Sequence, residues 1–117
     1  MENIVIPGVD VEGALRRLRG NTKLYAKLLG QFLGGSDLAE LRDAIDGGDA
    51  KAAAKAAHTI KGVAANLSAV DIQNRVIELE ASLKEAEGIT EEHRAILEDI
   101  ARLYDEARVG CAPLLNQ

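Results

Sequence analysis

The residues best suited to chemistry in this sequence are His58 and its neighbours in the segment 58–64, HTIKGVA. A histidine of ordinary pKa, about 6.5, is largely neutral near pH 7 and keeps one ring-nitrogen lone pair free to attack an electrophile. Lys61 lies three positions further on, where a helix would bring its ammonium close to negative charge on the ring. This combination meets the requirement for an imidazole that accepts a phosphoryl group.

Helical periodicity predicts that His58 points away from the protein core. With about 100° between successive residues, an apolar stripe forms opposite His58. It consists of Ala53, Ala56, Ile60, Val63, Ala64 and Leu67. Gly62, one turn after His58, costs a helix interior about 1 kcal/mol relative to alanine, but it leaves the neighbouring surface bare. The pattern indicates either an exposed imidazole on a flat docking surface or an ordinary surface histidine beside a surface lysine.

The composition favours a single all-helical domain. The chain has 117 residues and only three aromatic side chains, its apolar residues are mostly alanine, leucine, valine and isoleucine, and no segment alternates with period two. The net charge of −5 and the lack of a basic stripe argue against a nucleic-acid partner. Residues 49–67, in contrast, carry three lysines against one aspartate, which suits an acidic partner site or a bound phosphoryl group.

Two classes of site are not expected. Cys111 is the only cysteine, so the sequence excludes an internal disulfide and a cysteine-based metal set, and we interpret Cys111 as a spectator thiol near a loose tail. The acidic residues between 78 and 106 lack metal-ligand spacing and are expected to form a solvated face. No signal peptide or membrane span is apparent, which favours a cytoplasmic protein.

Capping and turn residues predict where the helices begin and end. Residues 1–9 are expected to form an extended lead-in, and a short helix capped by Asp10 follows, to about Arg19. Residues 22–46 form either one bent helix or two, with Gly34-Gly35 as the weak point. The proposed starts of the helical segments are Asp10, Thr22, Ser36, Asp49 for the His58 helix, Ser68 with Asp71 as a capping box, and Thr90.

The last helix is predicted to end at Gly110 and Pro113, leaving residues 110–117 as a C-terminal tail. Four substantial helices joined by short connections favour an antiparallel four-helix bundle with a short additional N-terminal helix, all within residues 10–109. His93, next to Glu91 and Glu92 in the first turn of the last helix, is expected to be a surface residue.

The segment around His58 resembles a histidine-containing phosphotransfer (HPt) domain of two-component phosphorelays. The matching residues are His58, Ile60, Lys61, Gly62, Ala64 and Ala69. The chain departs from the family pattern at Ser68, where the family usually has glycine, so the turn there is a point of difference. An upstream match to bacterial members extends the resemblance to about residues 5–87. It is carried by Pro7-Gly8-Val9-Asp10, Leu15, Leu18, Gly20-Asn21, Leu24-Tyr25, Leu28-Leu29 and Phe32.

The resemblance implies a four-helix bundle that carries a phosphoryl group without autokinase activity. His58 would accept the group from an aspartyl phosphate of a receiver domain and pass it to another receiver. Lys61 would balance the phosphate charge, and Gly62 would permit close docking. Glu80 occupies the position from which a polar side chain of the next helix contacts the histidine; the alternative is a solvated surface acid.

The resemblance also implies the partners. They are response-regulator receiver domains, including those of a hybrid histidine kinase, and a monomeric carrier is expected. The receiver supplies the acid chemistry and Mg²⁺, so no cofactor or metal is expected in this chain. Two rival functions are a helical interaction module that binds receivers or kinases without phosphate, and the phosphorylation domain of a larger histidine kinase. The second would require an ATP-binding domain, for which 117 residues leave no room.

Overall fold

The computed structural model describes residues 5–115, and the regular structure in this range is helical apart from an isolated bridge between Ile6 and Val9. The predicted all-helical class is therefore confirmed. Parts of the predicted lead-in (residues 1–4) and tail (residues 116–117) lie outside the described residues. The helices are α1 Val11–Arg17, α2 Thr22–Leu33, α3 Ser36–Asp46, α4 Ala50–Asn66, α5 Val70–Glu85 and α6 Glu91–Leu115.

Two aspartates cap their helices as predicted. The Asp10 and Asp49 carboxylates accept hydrogen bonds from the amides of Gly13 and Ala52, each at 3.0 Å. Both residues are followed directly by helix-forming sequence, so the cap is a local property that the sequence reveals.

Residues 22–46 form two helices, which settles the question left open by the sequence. Gly35 precedes α3 with a φ of 87°, a left-handed conformation that favours glycine and breaks the helix. α2 begins at Thr22 as predicted, with Asn21 as its cap. Ser36, expected as a cap, is instead the first residue of α3, and Gly35 occupies the capping position.

The capping box predicted for Ser68 and Asp71 is wrong. Ser68 has a φ of 57°, which is incompatible with the extended backbone of a capping residue, and α5 begins after Ala69 without a side-chain cap. The Ser68 hydroxyl instead accepts a hydrogen bond from the Arg17 guanidinium, and the Ser68 carbonyl accepts one from the Asp10 amide at 2.8 Å. The left-handed φ explains why a glycine is suitable at this turn, and contacts from the α1 region hold the serine in its place.

The predicted end of the last helix at Gly110 and Pro113 is also wrong, because α6 continues to Leu115. Gly110 has a tertiary role: a side chain there would place its Cβ 2.7 Å from Cδ of Pro7. Pro113 lies in the last turn, where its missing N–H would have paired with the carbonyl of the exposed Val109. Cys111 is buried on this helix and does not belong to a loose tail.

The packing of the helices leaves one face of α4 uncovered. α4 packs against α3 and α5, while α6 packs against α5, α2 and, less extensively, α3. Small side chains on the inner face of α4, namely Ala53, Ala57 and Ala64, are fully buried around Ile60. No helix between residues 5 and 115 has the length and apolar character needed to cross a membrane.

Candidate functional site

His58 lies in the middle of α4, on the face that points to solvent. Its side chain is 68% exposed, whereas Ile60 and Ala64 on the opposite face are buried. One turn further on, Gly62 is exposed, and apart from its chain neighbours and the adjacent backbone of α4 no described heavy atom lies within 4 Å of the position that its Cβ would occupy. The imidazole is therefore accessible, and the surface beside it is open.

A buried carboxylate on α5 holds one side of the imidazole. The Glu80 side chain is only 6% exposed, and its Oε2 lies 3.0 Å from Nδ1 of His58. Its other oxygen, Oε1, accepts a hydrogen bond of 2.7 Å from Nζ of Lys61. The structure thus brings together His58, Lys61 and Glu80, which the sequence singled out separately, and Glu80 is not a solvated surface acid.

Glu80 is held in its ionised form. The hydrogen bond from Lys61 is the largest of the influences that lower the Glu80 pKa below 4.5, and the hydrogen bond to His58 adds to it. Burial acts in the opposite direction, while the charges of Lys61 and Lys84 lower the pKa further. A buried carboxylate of this kind depends on its positive partners, because an isolated buried charge would be strongly unfavourable.

The ionised carboxylate determines which imidazole nitrogen is free to react. A carboxylate only accepts hydrogen bonds, so the short contact requires that Nδ1 of His58 carries the proton. In the neutral ring, the lone pair is then on Nε2, and no hydrogen bond occupies Nε2 within the described residues. The arrangement can present an unprotonated, exposed nitrogen as a nucleophile without first removing a proton.

One residue of this cluster was missed in the sequence analysis. Nζ of Lys84 lies 3.4 Å from Oε2 of Glu80, the same oxygen that contacts His58. Its position four residues after Glu80 on a helix was the available signal. Across residues 5–115, no group of three or more histidine, cysteine, aspartate or glutamate side chains is placed to hold a metal ion.

His93 is buried, so its prediction as a surface residue is wrong. It is 1% exposed, its Nε2 lies 3.0 Å from the Ser82 hydroxyl, and its Nδ1 accepts a 3.0 Å hydrogen bond from the Thr90 amide. The periodicity contained the signal, since His93 is in phase with Ile96 and Leu97 on the inner face of α6. His93 thus joins α6 to α5 at the 86–90 connection and has no access to solvent.

Comparison with known proteins identifies the family of this chain. Residues 28–110 match the family model described as Hpt domain, which includes α4, α5 and most of α6. No match was found among curated proteins or solved structures. Hpt domains act as phosphocarriers in two-component phosphorelays and interact with receiver domains. With a match over most of its length and a histidine presented on a helix surface, the chain belongs to the Hpt domain family.

Proposed function

We propose that this chain is a phosphorelay carrier that accepts a phosphoryl group on Nε2 of His58 from a receiver-domain aspartate and passes it to another receiver. The observation that carries the proposal is the 3.0 Å contact between Nδ1 of the exposed His58 and the buried carboxylate of Glu80. This contact leaves Nε2 as the reactive nitrogen. The role of Hpt domains in phosphorelays supports the same assignment.

The transfer to His58 needs no base. The Nε2 lone pair forms a bond to phosphorus while the bond between phosphorus and the aspartyl oxygen breaks, and that oxygen leaves as a carboxylate. Nδ1 keeps its proton, so the phosphorylated ring is positively charged, and Glu80 stabilises this charge at 3.0 Å. Transfer to the next receiver reverses these steps and returns a neutral imidazole.

The neighbours of His58 suit a docked receiver. We assign to Lys61 the balancing of phosphate charge, because its ammonium and the imidazole contact the two oxygens of the same Glu80 carboxylate. Gly62 leaves space for the partner's backbone or side chains to approach. Lys55, which is exposed on the preceding turn, would meet acidic groups of the receiver at the edge of the contact. The receiver supplies Mg²⁺, and this chain has no autokinase activity and needs no metal or cofactor.

The proposal includes the architecture and setting of the domain. The chain forms an antiparallel four-helix bundle in which residues 22–46 supply the first member and α4, α5 and α6 supply the others, with α1 as the additional N-terminal helix. The packing of α4 on α3 and α5, and of α6 on α2, α3 and α5, supports this arrangement. We propose a monomeric, cytoplasmic bacterial protein whose partners are receivers, including that of a hybrid histidine kinase.

The test is phosphoryl transfer from a panel of phosphorylated receiver domains of the source organism to the native protein and to His58→Gln. The expected result is an acid-labile, alkali-stable label on the native chain alone. Receivers that bind the chain without labelling it would contradict the carrier function and favour a phosphate-independent interaction module.

A further inference from the structure

The imidazole of His58 and the ammonium of Lys84 share a single oxygen of the buried Glu80 carboxylate. Oε2 lies 3.0 Å from Nδ1 of His58 and 3.4 Å from Nζ of Lys84, whereas Oε1 is occupied by Lys61. Lys84 lies on α5 with a side chain that is 65% exposed, and it does not contact His58 within the described contacts. The described contact between Lys84 and the His58 site is therefore indirect and runs through Oε2 of Glu80.

We propose that Lys84 is a positioning residue that acts on His58 through Oε2 of Glu80 and weakens the hold of the carboxylate on the Nδ1 proton. The proposal rests on the proposed function for its consequence, which is the lifetime of the phosphohistidine. It extends that function by assigning the control of lifetime to a residue that does not touch the reacting atoms.

The physical reason is competition for one acceptor. A carboxylate that accepts the Nδ1 proton stabilises a positively charged ring, and an ammonium at the same oxygen reduces that stabilisation. In the phosphorylated protein, a protonated ring is the better leaving group, because cleavage of the Nε2–P bond then returns the electron pair to Nε2 and releases a neutral imidazole. During hydrolysis, water oxygen bonds to phosphorus in the same step, and orthophosphate is the other product. Lys84 thus slows the loss of phosphate.

The other charged groups near α4 do not provide this coupling. On α4 itself, Lys61 uses Oε1 of Glu80, and Lys55 has no contact with Glu80 among the described residues. The α3 side that packs on α4 contributes no described hydrogen bond or ion pair to His58: its paired residues Arg42 and Asp46 bind Glu98 and Arg94 on α6. Asp37, Glu40 and Asp43 of α3 likewise form none with His58 in the described part of the chain.

The first test is an NMR titration of the His58 ring in the unphosphorylated protein. In Lys84→Met the midpoint should move to higher pH by about 0.3 unit, the size expected of a surface-accessible i,i+4 pair. Lys84→Arg should restore the native midpoint. Lys51→Met, which removes an equal charge from the same face of α4 two turns before His58 without touching Glu80, should produce less than half of this shift.

The same titration in the Glu80→Gln variant separates an effect of Lys84 through Glu80 from direct charge repulsion between Lys84 and His58. In Glu80→Gln the added Lys84→Met substitution should shift the midpoint by less than half of its effect in the native protein. An equal shift in both backgrounds, or no shift in the native background, would overturn the proposal. These measurements need no phosphoryl transfer, so they decide the role of Lys84 even if the carrier function fails.

The consequence is measured with phosphoramidate as the phosphoryl donor. After removal of the donor, the label on Lys84→Met should decay about twofold faster than on the native protein, the equivalent of a 0.3-unit shift. Lys51→Met should decay at close to the native rate. An equal lifetime for Lys84→Met and the native protein would contradict the assigned control of lifetime.

Discussion

His58 and His93 have the same side chain, but their surroundings give them opposite properties. His58 is 68% exposed and its Nδ1 faces a carboxylate, so its Nε2 lone pair is free. His93 is buried, and its Nδ1 accepts from the Thr90 amide, which places its proton on Nε2, where it points to the Ser82 hydroxyl. The reactive nitrogen of a histidine is therefore decided by the partner of the other nitrogen, and that partner lies on another helix in the case of His58.

The largest expected effect is on phosphoryl acceptance by the two histidines. His58→Gln should remove the label completely, because glutamine has no nucleophilic nitrogen. His93→Gln should retain the label on its folded fraction, because His93 has neither a free lone pair nor solvent access. Labelling by a cognate phosphorylated receiver, normalised to the folded fraction from circular dichroism, checks this prediction. Loss of label in folded His93→Gln would contradict the assignment of phosphoryl acceptance to His58 alone.

For stability the order should be reversed, with a larger loss from replacement of His93 than from replacement of His58. His93→Ala removes a buried ring and leaves the Thr90 amide without its partner, which should lower the free energy of unfolding by about 2–4 kcal/mol. His58→Ala should lower it by less than about 1 kcal/mol, because the ring is mostly exposed, alanine favours the helix, and Lys61 and Lys84 still pair with the Glu80 carboxylate. Urea denaturation of both variants measures this, and equal losses would contradict the distinct roles.

The sequence predicted the exposure of His58 correctly because the signals for it are local. The phase of α4 relative to Ile60 and Ala64 sets its exposure, and the caps at Asp10 and Asp49 depend on the next three residues. His93 had an equally good phase signal, but its exposed neighbours Glu91 and Glu92 gave more weight to the wrong interpretation. A single side chain in phase with an apolar stripe is better judged by the stripe than by adjacent residues.

Other features depended on contacts between distant segments and had no local signal. Gly110 signals a helix end, but the structure uses it to bring Pro7 against α6. Ser68 signals a cap, but Arg17 and Asp10 hold it at a positive φ. The position of Glu80 was suggested by resemblance alone, whereas its burial and its contacts with His58 and Lys61 follow from the packing of α5 on α4.

The third prediction concerns removal of the Glu80 carboxylate, which contacts His58 and has no counterpart at His93. Glu80→Ala should slow transfer about tenfold, since a charge-assisted hydrogen bond contributes about 1.5–3 kcal/mol and part of this would act in the transition state. Glu80→Gln should have a smaller effect because its amide oxygen can still accept from Nδ1. Quenched time courses of phosphoryl transfer compare these rates. Glu85→Ala, an exposed position on the same helix, is the control. Unaltered rates in both Glu80 variants would remove the orienting role.

The open surface next to His58 is the second feature that His93 lacks. Gly62→Gln should slow transfer about fivefold, equivalent to about 1 kcal/mol, because a side chain at this position would extend into the open space assigned to the receiver in the proposed function. It should also raise the free energy of unfolding by about 0.5 kcal/mol through helix propensity. Ala52→Gln, exposed on another face of α4, is the matched control. Normal transfer by Gly62→Gln would count against the docking role.

The smallest expected effect is on the acid dependence of stability, and it arises from the Glu80 carboxylate at the His58 site. The Glu80 pKa is lowered in the folded protein, mainly by Lys61, so the ionised carboxylate contributes stability above its unfolded pKa, and this contribution is lost as the pH falls through the folded value. Between pH 6 and 3 the free energy of unfolding should therefore fall more steeply in the native protein than in Glu80→Gln. Urea denaturation across this range measures the two slopes, and equal slopes would mean that the lysine contacts do not stabilise the ionised carboxylate.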